Sequence, residues 1–595
     1  MRQTMILTVS ALVVATAAAA SVVHAADEAA TTVAGMLEEK ALMAAYNPVL
    51  LDYLIEEGKD ALPAEQREKA LDQLVTGLKQ DIEITPEEQR AAAMAAAGAG
   101  LAQLLGGRDT GELGGVAQDA TYQIWRGWVD SAVTLQRAGY VDEANRFFAK
   151  CVEIYPYGDL RGRCAIGLAA GRPNEAFDRL MALTEAADME TQKTALRVLG
   201  VLAGSEGFPD DLRGRAIARM EEFTRGLKKA SYGVDACRGL VATCDERAVP
   251  ILQKLSSGMM NSDFFPCARR GLLLTFDDRS VVPLLEKQLK GGAFSTVEPH
   301  ERLFAASLLM EAGEASGFTF AEQELTKKQK KGLGKLMSSS DDDIDLRPSL
   351  VTALVRADGD DAVRVLRTAM GKVEKGSWLE TWIAVGLLEL GDTSQLALAK
   401  AALTNPEWAF TRVRVATALA KNGDVSGIPA LRELYSSAAR GVEPDWGKAT
   451  LAFLAGDGGT YQSGEEATQR RLIRLRQQIA DGLAAIDRGE CVPGLVEILG
   501  DSEPSVRLTT AYALGRMTAP EATAGLAAAM RTDFEAPGVR PRNPLVHAYI
   551  ARTAVLRHGA EASAGVLGAA AASPHASVRF LSLCLQPEAT QAAEG

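Results

Sequence analysis

The sequence predicts an all-α protein, a right-handed α-solenoid of helical hairpins. Three observations predict it. Apolar residues make up 47% of the chain and aromatics only 6%, with alanine abundant, so small side chains let helices pack closely. Long alternating Val/Ile/Thr runs are absent, and with them the period of two that a half-buried strand needs. A spacing also recurs: Asp245, Asp278, Asp424 and Arg488 each stand five residues before a proline (Pro250, Pro283, Pro429, Pro493) and seven before a leucine (Leu252, Leu285, Leu431, Leu495). A chain of 595 residues is several domains or one long array, and recurring spacing favours the array.

The N-terminus, MRQTMILTVSALVVATAAAASVVHAADEAA, has one positive residue, Arg2, then an apolar run from Ile6 to Val23 and the small-x-small triplet Val23-His24-Ala25. This is the pattern of a cleavable signal peptide, residues 1–25, cut after Ala25. No cysteine follows to carry a lipid, and no later segment is long and apolar enough to span a bilayer. The mature protein is therefore expected in the periplasm of a bacterium, or secreted.

Residues 26–120 hold amphipathic segments such as PAEQREKALDQLVTGLKQ and a Gly-rich linker, GGRDTGELGGVA, at 106–117. Over 121–187 the order Trp128, Ala132, Leu135, Ala144, Phe148, Pro156 resembles a tetratricopeptide repeat, with a degenerate second copy around AGRPNEAFDRL (170–180).

From 188 to 585 the hairpin unit recurs, and 586–595 reads as a disordered tail. Proline five residues after each anchor fits the first turn of a helix, where its missing N–H would lack a partner anyway. The second helix has its own signature. Arg507 is followed at four and seven residues by Ala511 and Leu514, Arg347 by Val351 and Leu354, and Arg302 by Ala306 and Leu309. Acidic turns precede it: Asp501 lies five before Val506, and Asp341 five before Leu346. Gly-Asp pairs at Gly359-Asp360, Gly391-Asp392, Gly423-Asp424 and Gly456-Asp457 are spaced 32, 32 and 33 residues apart, a period typical of α-solenoids. The Pro-x-Leu opening, the acidic turn, the Val506-Arg507 pair and the Ala-Leu-Gly ending resemble HEAT repeats, including the HEAT-like repeats of phycobilisome lyases. The resemblance is strongest at 488–520. It implies a binding surface and no particular chemistry.

The residues point away from catalysis. The four histidines after the signal, His300, His547, His558 and His575, form no metal-ligand spacing. GVEPDWGKAT (441–450) lacks the hydroxyl that a phosphate loop needs after its lysine. DDDID (341–345) lacks the Gly and Glu of a calcium loop. No cofactor or metal is expected. The net charge of −13 becomes −14 when Arg2 leaves with the signal, which opposes nucleic-acid binding. The lysines of TKKQKKGLGK (326–335) and the arginines Arg470, Arg471, Arg474 and Arg476 read as solvated helix faces.

None of the seven cysteines forms a C-x-x-C pair. Cys151 and Cys164, on consecutive helices, are a candidate disulfide. Cys237 and Cys244 lie two helical turns apart, too far to bridge on one helix.

The expected function is that of an exported, non-enzymatic scaffold or protein-binding protein with a protein or peptide partner. The alternative is a cofactor- or chromophore-handling accessory protein, or a regulatory subunit of an envelope enzyme. The candidate binding residues are Trp378, Trp408 and Trp446, which precede the glycines of successive Gly-Asp pairs by thirteen, fifteen and ten residues. Each falls at the start of a second helix, so the three are expected along one edge. Trp382, one turn after Trp378, reads as core.

Overall fold

The computed structural model describes residues 36–37, 42, 47–58, 61–78, 120–154, 158–186, 189–257, 263–290, 297, 299–327, 347–404, 409–442, 465–535 and 542–586. Among them there is no strand, and no helix is long and apolar enough to cross a membrane. The signal segment, the Gly-rich linker, DDDID, Gly456-Asp457, and most of both the lysine cluster and GVEPDWGKAT lie outside the described residues.

The helices run α1 Pro48–Glu56, α2 Ala64–Leu78, α3 Ala120–Arg137, α4 Val141–Ile154, α5 Gly158–Gly171, α6 Pro173–Leu183, α7 Met189–Ala203, α8 Asp210–Phe223 and α9 Lys229–Ala242. Next come α10 Val249–Leu255, α11 Phe265–Arg270 (continued by a π turn, Gly271–Thr275), α12 Val282–Lys290, α13 Pro299–Glu311, α14 Ala315–Thr326, α15 Arg347–Ala357, α16 Gly359–Met370, α17 Trp378–Glu389 and α18 Leu396–Ala401. The last are α19 Ala409–Lys421, α20 Gly427–Ala439, α21 Glu465–Ile486, α22 Val492–Ile498, α23 Pro504–Arg516, α24 Ala522–Ala529, α25 Asn543–His558, α26 Ala564–Ala571 and α27 Ala576–Cys584.

The chain divides into two compact units, one formed within Met1–Glu88, Gln123–Phe147 and Asp487–Gly595, the other within Gln89–Tyr122 and Phe148–Ile486. In the second unit the odd-numbered helices from α5 to α21 make one row and the even-numbered helices the other, with successive hairpins side by side. The leucines seven residues after each anchor, Leu252, Leu285 and Leu431, are fully buried between the rows, as are Ala306, Leu309, Val351 and Leu354. Neighbouring helices approach closely where glycines face each other. A Cβ added to Gly200 of α7 would come within 2.1 Å of the Gly239 carbonyl on α9.

One joint explains two of the sequence signals. A residue in the left-handed region ends an odd helix, and the side chain of the next residue accepts the N–H two positions on, in the turn that opens the even helix. Gly391 and Gly423 supply that conformation, but so do Cys244 and Asp277, so the Asp-to-Pro spacing and the Gly-Asp pairs mark the same turn. Asp278, Asp392 and Asp424 accept the N–H of Ser280, Ser394 and Ser426 at 3.0, 2.9 and 2.9 Å. Each is also gripped from the preceding even helix, by Gln253 at 2.8 Å, by Arg367 at 2.7 Å and by Lys400. Burial pushes these carboxyls up, but the hydrogen bonds outweigh it and lower all three, Asp424 to about 2. Gly359-Asp360 departs from the pattern: Asp358 is the cap there, accepting the Gly359 N–H at 2.8 Å, and α16 starts at Gly359 itself.

In the first unit, hairpins α22–α23, α24–α25 and α26–α27 stack in the same way, with Leu495, Ala511 and Leu514 fully buried. The Val-Arg signature has a mechanical role here. Arg507 donates to the carbonyls of Asp501 and Asp533, both at 2.7 Å, tying two turns together. Arg579, after Val578, repeats the six-residue reach by donating to the Ser573 carbonyl at 2.8 Å.

This unit also takes in a helix from far upstream. Asn47 caps α1 by accepting the N–H groups of Val49 and Leu50, and its amide donates to the Pro544 carbonyl at 3.1 Å and the Ser577 hydroxyl at 3.0 Å. Tyr53 donates to the Cys584 carbonyl at 2.9 Å. Arg552 on α25 donates to Asp52 at 2.6 Å and to Glu57 at 2.7 and 3.1 Å. Leu50, Leu51 and Leu54 of α1 are fully buried.

Cys151 and Cys164, the candidate disulfide of the sequence, are both buried, in α4 and α5. They fill small core positions, a common use of cysteine. The arginines of α21 do not share one solvated face either. Arg470 and Arg474 are exposed, Arg471 is half-buried, and Arg476 is buried and donates to the Leu472 carbonyl at 3.4 Å.

Candidate functional site

A polar cluster of the second unit lies on its odd row, from α11 to α19. On α15, Pro348, Thr352 and Arg356 recur every four residues and so share one face. The Pro348 carbonyl accepts the Trp382 indole N–H from α17 at 3.1 Å. The Thr352 hydroxyl accepts from Arg414 of α19 at 3.2 Å. Arg414 also forks onto both carboxylate oxygens of Glu389 and lies 5.0 Å over the Trp382 ring. Arg414 is thus held on three sides by α15 and α17, its charge paired bidentately and its flat face on an aromatic ring.

Arg356 extends the cluster the other way. It is exposed at the surface, yet protein crowds its surroundings, and that desolvation lowers its pKa. Glu311 of α13 opposes the shift, while the positive charges of Arg270 and Arg414 add to it. Arg270, at the end of α11, pairs with Glu311 at 2.9 Å. Arg347, opening α15, sits 5.9 Å over the Trp378 ring. The result is an arginine–tryptophan strip running over five consecutive odd helices.

Trp378 is fixed by its helix start. Ser377 caps α17 by accepting the Glu380 N–H at 3.2 Å, and Glu380 reaches back to accept the Gly376 N–H at 2.7 Å. This near-capping box leaves Trp378 half-buried as the first residue of α17. Trp408 and Trp446 lie outside the described residues. Trp382 is half-buried beside the strip rather than in the core, because its N–H finds a carbonyl at the surface between α15 and α17. The tryptophan spacing pointed to this edge through Trp378. It gave no sign of Arg270, Arg356 and Arg414, which occupy no common offset within their repeats.

The histidines are structural in their contacts. His547 is buried against Phe534 and faces the Thr532 carbonyl at 3.1 Å, and burial lowers its pKa. No group of three His, Cys, Asp or Glu side chains suited to a metal occurs among the described residues.

The fold and the strip define the class, an all-α hairpin-repeat protein with a charged, aromatic-lined row of helices. Residues 465–540 match HEAT repeats. No curated protein matches the sequence. Among solved structures, karyopherin Kap121p, bound to the extreme C-terminus of the protein phosphatase Cdc14p, aligns over 93% of this chain and 72% of its own at 11% identity and TM-score 0.26. UNC-45 from Drosophila melanogaster aligns over 95% and 89% at 14% identity and TM-score 0.23. An engineered protein aligns over 87% and 98% at 16% identity and TM-score 0.17.

Proposed function

We propose that this chain is an exported, non-enzymatic protein-binding protein, and that the strip on α11–α19 grips an extended, acidic segment of a protein partner. HEAT-repeat folds commonly mediate protein binding, which supports the broad reading. The observation that carries the finer one is the strip's charge. Four guanidinium groups, Arg270, Arg347, Arg356 and Arg414, gather along this one row of helices in a chain whose net charge is −13. Arginine and tryptophan are the side chains that dominate binding energy at interfaces, and Trp378 and Trp382 stand beside these charges. Trp408 and Trp446 are proposed to continue the surface into the next two repeats. The N-terminal signal pattern supports export, so the partner is sought in the periplasm.

The test places a photo-cross-linking residue at position 356 or 378, with position 433 on the even row as control, in cells exporting the protein. Cross-links are expected at 356 and 378, to an acidic peptide of the partner, and are expected to disappear from 378 in R356E. Equal labelling at 433, or no product at either strip position, overturns the proposal.

A further inference from the structure

Two cysteines that lie thirty positions apart in the sequence meet across successive hairpins. Cys237 is fully buried on α9, and Cys267 is half-exposed on α11. Cys267 is the neighbour that most raises the pKa of the Cys237 thiol. The surrounding register fixes this meeting independently. Along α9, Gly233, Cys237 and Val241 recur every four residues and so line one face. A Cβ on Gly233 would come within 2.6 Å of the Phe264 ring, just before α11, and a Cβ on Gly271, just after it, within 2.3 Å of Val241. Gly233 therefore faces Phe264 and Val241 faces Gly271, with Cys237 and Cys267 between these two close approaches. The missing side chains at Gly233 and Gly271 let the helices come near enough for a short cross-link, which needs Cα atoms about 4.4–6.8 Å apart.

We propose that Cys237 and Cys267 form an oxidisable dithiol site, closed by a disulfide-class oxidant into a cross-link between the hairpins α8–α9 and α10–α11. The order of events follows from exposure. The Cys267 sulfur, as thiolate, attacks one sulfur of the incoming disulfide, forming a mixed disulfide and releasing one thiolate. Cys237 then gives up its proton to solvent and attacks the Cys267 sulfur, expelling the second thiolate. Two protein thiols are oxidised and one external disulfide is reduced to two thiols. The neighbouring Cys267, followed by burial, holds the Cys237 thiol well above its ordinary pKa, so Cys237 suits the second, intramolecular step. An exported protein would meet such oxidants routinely.

The test uses the full mature protein, reduced and then exposed to oxidised glutathione, alkylated while folded, and digested with trypsin. A linked species joining Ala230–Arg238 to Leu255–Arg269 is expected, lost on reduction. In C237S the product is expected to stop at a glutathione adduct on Cys267, and in C267S Cys237 is expected to remain unmodified. Circular dichroism checks that both variants keep their helices. If C237S does not fold, the wild-type linkage and C267S still decide the matter. Separate alkylation or glutathione adducts of Cys237 and Cys267 in folded wild-type protein, or linkage of either to exposed Cys244 instead, overturns the proposal.

Discussion

Replacing Arg552 by alanine should loosen α1 from α25 without unfolding the unit. Arg552 makes one short bond to Asp52 and a fork onto Glu57, and the three side chains retain 16%, 22% and 32% exposure. Hydrogen bonds to charged groups contribute about 1.5–3 kcal/mol when buried, whereas exposed pairs contribute about 0–1 kcal/mol. The more buried Asp52 bond falls near the upper range and the Glu57 fork near the lower. Asp52 also keeps a second donor, the Thr134 hydroxyl at 2.7 Å, so the variant leaves it partly satisfied. The expected loss is about 2–3 kcal/mol, which lowers the protection of α1 against local opening roughly 30- to 150-fold at about 1.4 kcal/mol per decade. Hydrogen exchange read by mass spectrometry over residues 48–57 measures this directly, with α22 as an internal reference. A change below roughly threefold would show that the buried leucines and the bonds of Asn47 and Tyr53 hold α1 alone, and that the ion trio contributes nothing.

Other perturbations test the remaining features. D424N should lower stability by about 1 kcal/mol near neutral pH, allowing for solvent screening at Lys400. Because Asp424 titrates at about 2 rather than 3.8, that contribution is present above the ordinary value and fades as pH falls from 3.8 toward 2; a urea-midpoint difference still undiminished at pH 2 contradicts the assignment. Gly200→Ala should cost about 2–3 kcal/mol through overpacking against the Gly239 carbonyl, seen as a lower Tm; an unchanged Tm would mean that α7 and α9 shift apart freely. R507A should cost about 1–2 kcal/mol through its lost carbonyl bonds, visible in urea denaturation of the full chain. Trp378→Ala, and Trp408→Ala if the row extends as proposed, should weaken partner binding by roughly 2 kcal/mol or more with helicity unchanged. Intact affinity in both would remove the tryptophans from the interface.

The hairpin was legible because its determinants are local. Pro250 and Pro493 open helices where a missing N–H does no harm, and Leu252 and Leu495 fall two residues later on the buried side. The joint was only half legible. At Gly391 and Gly423 the left-handed residue announces itself, but Cys244 and Asp277 adopt the same backbone with side chains that rarely do so, so one turn read as two signals. The strip was hidden for a different reason. Arg270, Arg356 and Arg414 converge from separate helices, and periodicity within one helix does not reveal which ends meet across three. The same limit applied to Cys237: the spacing weighed it only against Cys244, two helical turns away on its own chain segment, whereas its structural neighbour, Cys267, comes from the next hairpin.

The docking of α1 has a consequence for synthesis. Asn47 and Pro544 are separated by 497 positions, so α1 leaves the ribosome long before the surface that receives it exists. Hairpins whose partners are adjacent in sequence can form as they emerge, whereas contacts of such long range are late and slow to close. Until then Leu50, Leu51 and Leu54 lack that receiving surface, and the nascent chain carries an incompletely docked apolar segment through most of its translation. A holdase that shields this stretch would improve the yield of correctly finished protein, and a stalled or C-terminally truncated chain would keep it uncovered as a mark for degradation.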